Sequence, residues 1–300
     1  LQIELKENYD IGNLTTFRIG GNVDKLYLPQ SKEEFLFALK ENPEAKVFGN
    51  LSNTLISSDG VKETVVSTWK MNHSFIEDTY VYAESGMKGP FLAQKVAGLG
   101  LSGLEFLIGF PGTIGGEVYM NASARGQAIS DKIVKVELYS HEKGVFTLTK
   151  DEMEFGYRSS ICQKKPYIVV AAEFKLDEDS KDEIKWRMEE NKLFRRMHQP
   201  SLVLGNAGSV FKNPDGDSAG RLLDEAGVKG LSVGGAKVWE NHANFIVNFN
   251  KATSSDVLEL MLMMYNKVKE KFGIELKPEI VYLGGNNARE VEICEILGIK

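Results

Sequence analysis

Cysteine is nearly absent from this chain. Only Cys162 and Cys294 occur in 300 residues, in no paired spacing, which argues against a disulfide framework or a thiolate metal site and fits a reducing compartment. The four histidines, His73, His141, His198 and His242, show no HxxxH or HxH spacing, so no metal is expected. No apolar run approaches the roughly 18 residues of a membrane span. The polar start LQIELKENYD also lacks the apolar core of a secretion signal. Basic residues are not in excess: the net charge is −6, and no nucleic-acid footprint is expected. Two nucleotide signatures are missing as well. No GK[ST] closes a glycine loop, and no GxGxxG joins a strand to a helix. These absences leave a cytoplasmic, soluble protein without nucleic-acid or membrane partners.

The chain is otherwise ordinary in composition, with 42% hydrophobic and 26% charged residues, and its length suggests two or three domains. Its first 180 or so residues carry short strand-like runs, VDKLYLP, TVVST, YVYAES, IVKVELYS, VFTLT and YIVVAAEFKL. Helical patterns interrupt them at KEEFLFALK and at GPFLAQKVAG, where Pro90 suits a first turn. DEDSKDEIKWRMEENKLFRRM reads as a long linking helix. Beyond Pro200 a smaller α+β unit is expected, with a helix in SAGRLLDEAG ended by Gly227 and a strand in NFIVNFN. A periodic helix from Ser254 to Phe272 follows, started by Thr253 and Asp256 and stopped by Gly273. Its Met261, Met263 and Met264 read as core filler. The residues after Asn286 read as a peripheral tail.

Glycine, at 29 residues, runs above its usual share, and it gathers in loops. VFGNLSN supplies Gly49, Ser52 and Asn53, and VYAESGM ends at Gly86. The third loop packs Gly109, Pro111, Gly112, Gly115 and Gly116 together, with Thr113 as a hydroxyl donor and Asn121 as an amide. Successive amides of such loops can nest a pyrophosphate. One loop alone reads more readily as a tight turn; three together favour a phosphate-bearing cofactor. GNAGSVFKNP then places Ser209 in a small-residue turn, followed by Lys212 and Asn213, which suit polar or anionic groups, or else forms a solvated Gly/Asn turn. EFGYRSS offers Arg158, a planar fork for a carboxylate, or else a surface ion pair. LKPEIVYLG offers Glu279 at a strand edge, a further piece of the Ser209 site or a solvated charge.

Taken in order, TTFRIGG, LSGLEFLIGFPGTIGG with YMNA, FGYRSS, QPSL…NAGSVFKNP, GGAKV…HANFIVN and FGIELKPE resemble the MurB family, the UDP-N-acetylenolpyruvoylglucosamine reductases. The likeness runs from about Tyr9 to Gly284 and looks like the shorter type II form. It implies an α+β chain of the FAD-binding PCMH/vanillyl-alcohol-oxidase superfamily, with a two-part flavin domain and a smaller α+β substrate domain. The parts implied are residues 1–55 and 56–178 (a PCMH-type region of about 17–178), a linker helix 179–200, a substrate-binding domain 201–285 and a tail 286–300. The implied chemistry is reduction of UDP-N-acetylglucosamine enolpyruvate by NADPH through FAD, with a hydride passing to C3 and a proton to C2. In the roles so implied, Ser209 is the proton donor, assisted by Arg158 and Glu279. Gly49, Asn50, Ser52, Asn53, Gly86, Gly109, Pro111, Gly112, Thr113, Gly115, Gly116, Asn121 and Ala122 hold FAD. Tyr157, Lys212, Asn213 and His242 hold the UDP-sugar. A monomer is expected. Four positions depart from the family pattern: Leu51 and Ser123 replace glycines, and His198 and Asn241 replace lysines. A related flavin oxidase of a sugar or alcohol, or a weakened paralogue that only binds flavin or a UDP-sugar, are the alternatives.

Overall fold

Alternation decides the first sheet. The run Gly144–Thr149 alternates between half-buried and exposed positions, and it pairs at the edge with Ile133–Ser140. The central Ile168–Lys175 is almost continuously buried, as a strand covered on both faces must be. The computed structural model describes residues 2–299 and places these strands in a five-stranded antiparallel sheet. Its order is Gly144–Thr149, Ile133–Ser140, Ile168–Lys175, Tyr80–Glu84, Ser74–Glu77.

The chain divides into two units. The first comprises Leu1–Lys6, Leu26–Asn50 and Thr64–Arg195, the second Glu7–Lys25, Leu51–Glu63 and Arg196–Lys300. In the first unit, α1 (Lys32–Glu41) is capped by Ser31, whose Oγ accepts from Glu34 N at 3.2 Å. Helix α2 (Gly89–Ala97) carries Pro90 in its first turn, where a missing N–H costs nothing. Helix α3 (Ile114–Met120) ends at Asn121 with a left-handed φ of 45°. Helix α4 (Lys181–His198) falls where the long linker is expected and buries Ile184 and Met188. The core of this unit joins Val136, Leu138 and Phe174 of the sheet to Leu92, Val96 and Val118 of the helices.

The second unit contains α5 (Ala219–Glu225), α6 (Ser254–Phe272) and α7 (Ala288–Leu297). A small antiparallel sheet runs through Ser232–Val233, Ala236–Val238 and Ile246–Asn248, and Val281–Leu283 lies parallel to Thr54–Ile56. Helix α6 has the ends expected of it. Thr253 and Asp256 form a reciprocal capping box, and Gly273 stops the helix at φ 68°.

Two expectations need correction. Met261 and Met264 are core residues, but Met263 is exposed, because it faces away from the stripe that α6 buries. The segment after Asn286 is not peripheral: α7 buries Ile293, Cys294 and Leu297 in the core of the unit. Its Glu290 is also buried, accepting hydrogen bonds from Ser254 (2.5 Å), Ser255 (2.7 Å), Ser57 (2.8 Å) and Tyr282 (2.5 Å). A buried carboxyl is tolerable on those terms, and it ties α7 to α6.

Leu51 shows how a departure from the family pattern is accommodated. It holds φ 49°, the left-handed region that favours glycine, yet its side chain is buried. The conformation costs an L-residue about 1–2 kcal/mol, whereas emptying a buried leucine site costs about 2–5 kcal/mol. Burial therefore outweighs strain. Leu51→Gly should lower stability by about 1–3 kcal/mol, read as a fall in the urea midpoint, although it restores the family's glycine.

Candidate functional site

The three glycine loops converge within the first unit. A Cβ on Gly49 would collide with Thr113 Oγ1, and Asn50 Nδ2 donates to the Pro111 carbonyl at 2.6 Å. The first loop therefore lies against the third. The second loop joins through backbone bonds, Gly115 N to Ser85 O and Ile114 N to Met87 O, both 2.8 Å. Gly86 itself is pressed against the Thr68 and Met71 carbonyls, so any side chain there is excluded. Gly109 leaves room for the aliphatic part of Arg195, whose guanidinium stacks 4.6 Å from the Phe110 ring centre.

This packing leaves polar atoms unpaired. Ser85 Oγ, Thr113 Oγ1 and both carboxyl oxygens of Glu117 are buried without a hydrogen-bond partner among the described residues. Buried hydroxyls are normally satisfied, so orphans at the meeting of three glycine loops mark a place for a polar ligand. The space beside Gly116 is open apart from Thr113 Oγ1 at 3.9 Å. These residues fit a phosphate-bearing cofactor such as FAD: they offer hydroxyls, a close backbone and room.

Some expected cofactor residues have other duties here. Asn121 donates to Gly156 O at 2.9 Å and accepts from Ser130 N at 3.3 Å, so its amide holds neighbouring turns. Ala122 is buried, and its N–H bonds to Glu117 O at 2.8 Å. Gly112 approaches the Glu117 carboxyl, which a Cβ there would crowd. Ser52 and Asn53 belong to the second unit, where Ser52 O accepts from Thr16 Oγ1 (3.4 Å) and Asn53 Nδ2 donates to Glu279 O (2.9 Å).

Arg158 also lies in the first unit, at a left-handed φ of 51°. Its Nη1 donates to Ser123 Oγ at 2.7 Å, and its guanidinium lies 5.1 Å from the ring centre of the exposed Tyr157. The turn is pinned to the end of α3. Gln163 Nε2 bonds to both Arg158 O and Tyr119 O, and Ser160 Oγ bonds to Tyr119 O. Ser123, one of the departures, is thus a partner of the guanidinium.

In the second unit Ser209 and Glu279 are brought side by side. Glu279 N donates to Val210 O and Lys212 N to Lys277 O, both 2.8 Å, and Phe211 bridges Pro278. Asn244 fixes the other edge. Its Oδ1 accepts from Phe211 N (2.9 Å), its Nδ2 donates to Phe211 O (2.8 Å), and its own carbonyl accepts from Val210 N (2.9 Å). Gly208, at φ 78°, has open space where a side chain would point, which leaves the approach to partly buried Ser209 clear.

Lys212 is half-buried, and Asn213 Oδ1 accepts from Ala219 N at 3.0 Å just ahead of α5. His242 Nδ1 accepts from Asn244 N at 3.2 Å, which puts any ring proton on Nε2. Burial, followed by the Lys229 and His198 charges, holds the His242 pKa down, so the ring is neutral and Nε2–H is a donor. A separate cavity of about 360 Å³ in this unit, beside Arg18 and Lys251, includes none of the expected residues.

Ser85, Glu117, Arg195 and Asn244 are the residues that sequence reading passes over. Only Asn244 left a signal, inside HANF. Glu117 reads as one more helical surface charge, and its burial depends on distant segments.

Comparison with known proteins follows this layout. Residues 24–148 match the family described as FAD binding domain. Residues 199–283 match the one described as UDP-N-acetylenolpyruvoylglucosamine reductase, C-terminal domain. The chain is 40% identical over 274 residues to the UDP-N-acetylenolpyruvoylglucosamine reductase of Caldanaerobacter subterraneus, covering 90% of each chain. It is 41% identical over 278 residues to that of Pseudothermotoga lettingae, covering 92% of this chain and 97% of the relative. The crystal structure of the Thermus caldophilus reductase (MurB) superposes with a TM-score of 0.79 at 36% identity, over 94% of this chain and 99% of that one.

The Asn244 clamp can be tested directly. Asn244→Ala strands the buried N–H and C=O of Phe211, each worth about 1–3 kcal/mol when unpaired. A drop of about 2–5 kcal/mol in unfolding free energy is expected, measured by urea denaturation.

Proposed function

The chain belongs to the UDP-N-acetylenolpyruvoylglucosamine reductase family, and from that we propose that it reduces UDP-N-acetylglucosamine enolpyruvate to UDP-N-acetylmuramate, as a cytoplasmic monomer serving cell-wall synthesis. The observation that carries the reading is the convergence of three glycine loops on the orphaned hydroxyls of Ser85 and Thr113, in a chain that matches the family along most of its length. The boundaries 1–55, 56–178, 179–200 and 201–285 are part of the same reading.

When bound, FAD would supply the hydride chemistry that links NADPH to C3 of the enolpyruvyl group. In this reading the first unit supplies the cofactor's hold, with Thr113 and Ser85 as hydroxyl donors and the glycine segments allowing close backbone approach. Asn50 keeps the first and third loops together through Pro111.

Hydride addition beside a carboxylate builds enolate-like charge. A fixed guanidinium stabilises that charge as it develops, which is the role given to Arg158. Its support is the Ser123 hydrogen bond and the pinned turn, which fix the fork before substrate arrives.

Ser209 then gives its proton to C2. A hydroxyl is a weak acid, but a carbanion-like carbon is a far stronger base than water, so placement matters more than acidity. Placement is supported by the Asn244 clamp on one side and the Glu279 backbone bond on the other. Glu279, next to that turn, assists the proton transfer. Lys212, Asn213, Tyr157 and the neutral His242 are assigned to the UDP-sugar, as a cation, two neutral donors and an aromatic surface.

Two variants test the assignment by half-reaction. In Ser209→Ala, anaerobic bleaching of the flavin by NADPH should proceed normally. Reoxidation by the enolpyruvyl substrate should slow by about 10²–10⁴-fold; normal turnover would remove Ser209 from the mechanism. Ser123→Ala should leave FAD binding and flavin reduction intact but slow reoxidation about tenfold, the loss of one hydrogen bond to a charged group. Stopped-flow absorbance resolves both steps.

A further inference from the structure

Four glutamates are buried among the described residues, and three have donors. Glu84 accepts from His73 N, Glu105 from Gly103 N, Ser102 and Arg187, and Glu290 from four hydroxyls. Glu117 is only 4% exposed and neither oxygen has a partner among the described residues. Its carboxyl is wedged between two glycines, where a Cβ on Gly89 would collide with it and one on Gly112 would lie 3.1 Å from Oε1. An ionised carboxyl without donors is prohibitively costly in such a place. A neutral one is affordable, and it presents an O–H that needs an acceptor.

No acceptor is supplied by the described residues. Glu117 stands on the same short helix that follows Thr113, within the glycine segments that the family reading gives to FAD. A diphosphate-bearing cofactor is rich in acceptor oxygens and carries negative charge, so it suits a carboxylic acid and repels a carboxylate.

We propose that Glu117 serves FAD binding as a neutral carboxylic acid that donates its O–H to the cofactor, so that affinity is lost when Glu117 ionises. This rests on the flavoenzyme reading and names a binding residue and a pH response that the reading does not contain.

The surroundings support the neutral form. Burial pushes the Glu117 pKa up to about 8, against the opposing influence of Arg195. Arg195 is the cation that α4 brings near; it is itself held down to about 10 by burial and is stacked on Phe110. Among the other elements around Glu117, the loop from Gly109 to Thr113 carries no charge. Lys88, just ahead of α2, is exposed. Glu84, ahead of the second loop, is engaged by His73 N. Arg125, in the turn after Asn121, is engaged by Asn191 and stacked on Phe194.

The sign of the stability effect follows from a folded pKa raised above the unfolded value of 4.5. The favourable contribution of protonated Glu117 is fully present below pH 4.5 and is lost as the pH rises through about 8.

The test uses flavin-stripped protein titrated with FAD across pH 6 to 9.5, with binding read from flavin fluorescence. Wild type should hold its affinity near neutrality, then lose about tenfold per pH unit above the Glu117 pKa. Glu117→Gln, a neutral donor of the same shape, should bind FAD at neutral pH and show a flat profile. Without FAD, its thermal midpoint should exceed that of the wild type increasingly from pH 4.5 to 8. Arg195→Met, which removes the opposing cation, should move the loss of affinity to higher pH, and this arm serves if the glutamine variant does not fold. Matching wild-type and Glu117→Gln profiles would overturn the proposal, as would loss of FAD binding by Glu117→Gln at pH 7. Wild type that binds no FAD at any pH would instead sink the flavoenzyme reading beneath it.

Discussion

The close approach of three glycine segments in the first unit is the constraint on which the candidate cofactor site depends. Gly49 admits Thr113, Gly86 admits two backbone carbonyls, and Gly115 lies against Ser85. Adding a methyl group at any of them forces backbone or buried side chains apart, because interiors are packed without slack. The same closeness leaves Ser85 Oγ and Thr113 Oγ1 buried without a hydrogen-bond partner among the described residues. Glycine thus has two functions in this cradle. It permits the turns, and it leaves hydroxyls unsatisfied until a ligand meets them.

The second unit solves a different problem. The role proposed for Ser209 asks for a hydroxyl at a fixed point on a segment with no regular secondary structure of its own. Backbone groups in such a segment need partners, and they find them on both sides, from Asn244 and from Lys277 to Glu279. Asn244 acts as a surrogate strand, since one primary amide satisfies both the N–H and the C=O of Phe211. The segment is therefore held rigidly without losing the open space at Gly208.

Much of the fold was legible because its signals are local. Thr253, Asp256 and Gly273 announce the ends of α6, and Ser218 and Gly227 those of α5, since caps are written in the few residues around a helix end. The edge run Gly144–Thr149 of the five-stranded sheet follows its own alternation, and the central Ile168–Lys175 its nearly continuous apolar character. Met263 and α7 were misread because burial is set by whichever face the fold covers, and α7 owes its place to Ile293, Cys294, Leu297 and the hydroxyl cage of Glu290. Likewise, the glycine loops could be read singly, but nothing in their own sequence says that Gly49 meets Thr113. The partners of a site come from distant segments, so Ser85 and Glu117 gave no sign as functional candidates and Asn244 showed only within HANF.

The departures from the family pattern gain meaning from the same contrast. Read alone, Leu51 and Ser123 are only glycines replaced. In the folded chain each has a compensating contact. Leu51 tolerates a left-handed backbone because its side chain is buried, and Ser123 offers Arg158 a hydroxyl that glycine cannot provide. A strained φ at Arg158 itself (51°) persists under the same logic, because the Asn121, Ser160 and Gln163 bonds over-determine that turn. A substitution that removes conformational freedom is therefore not evidence of lost function here. What matters is whether the new side chain finds a partner, and in both places it does.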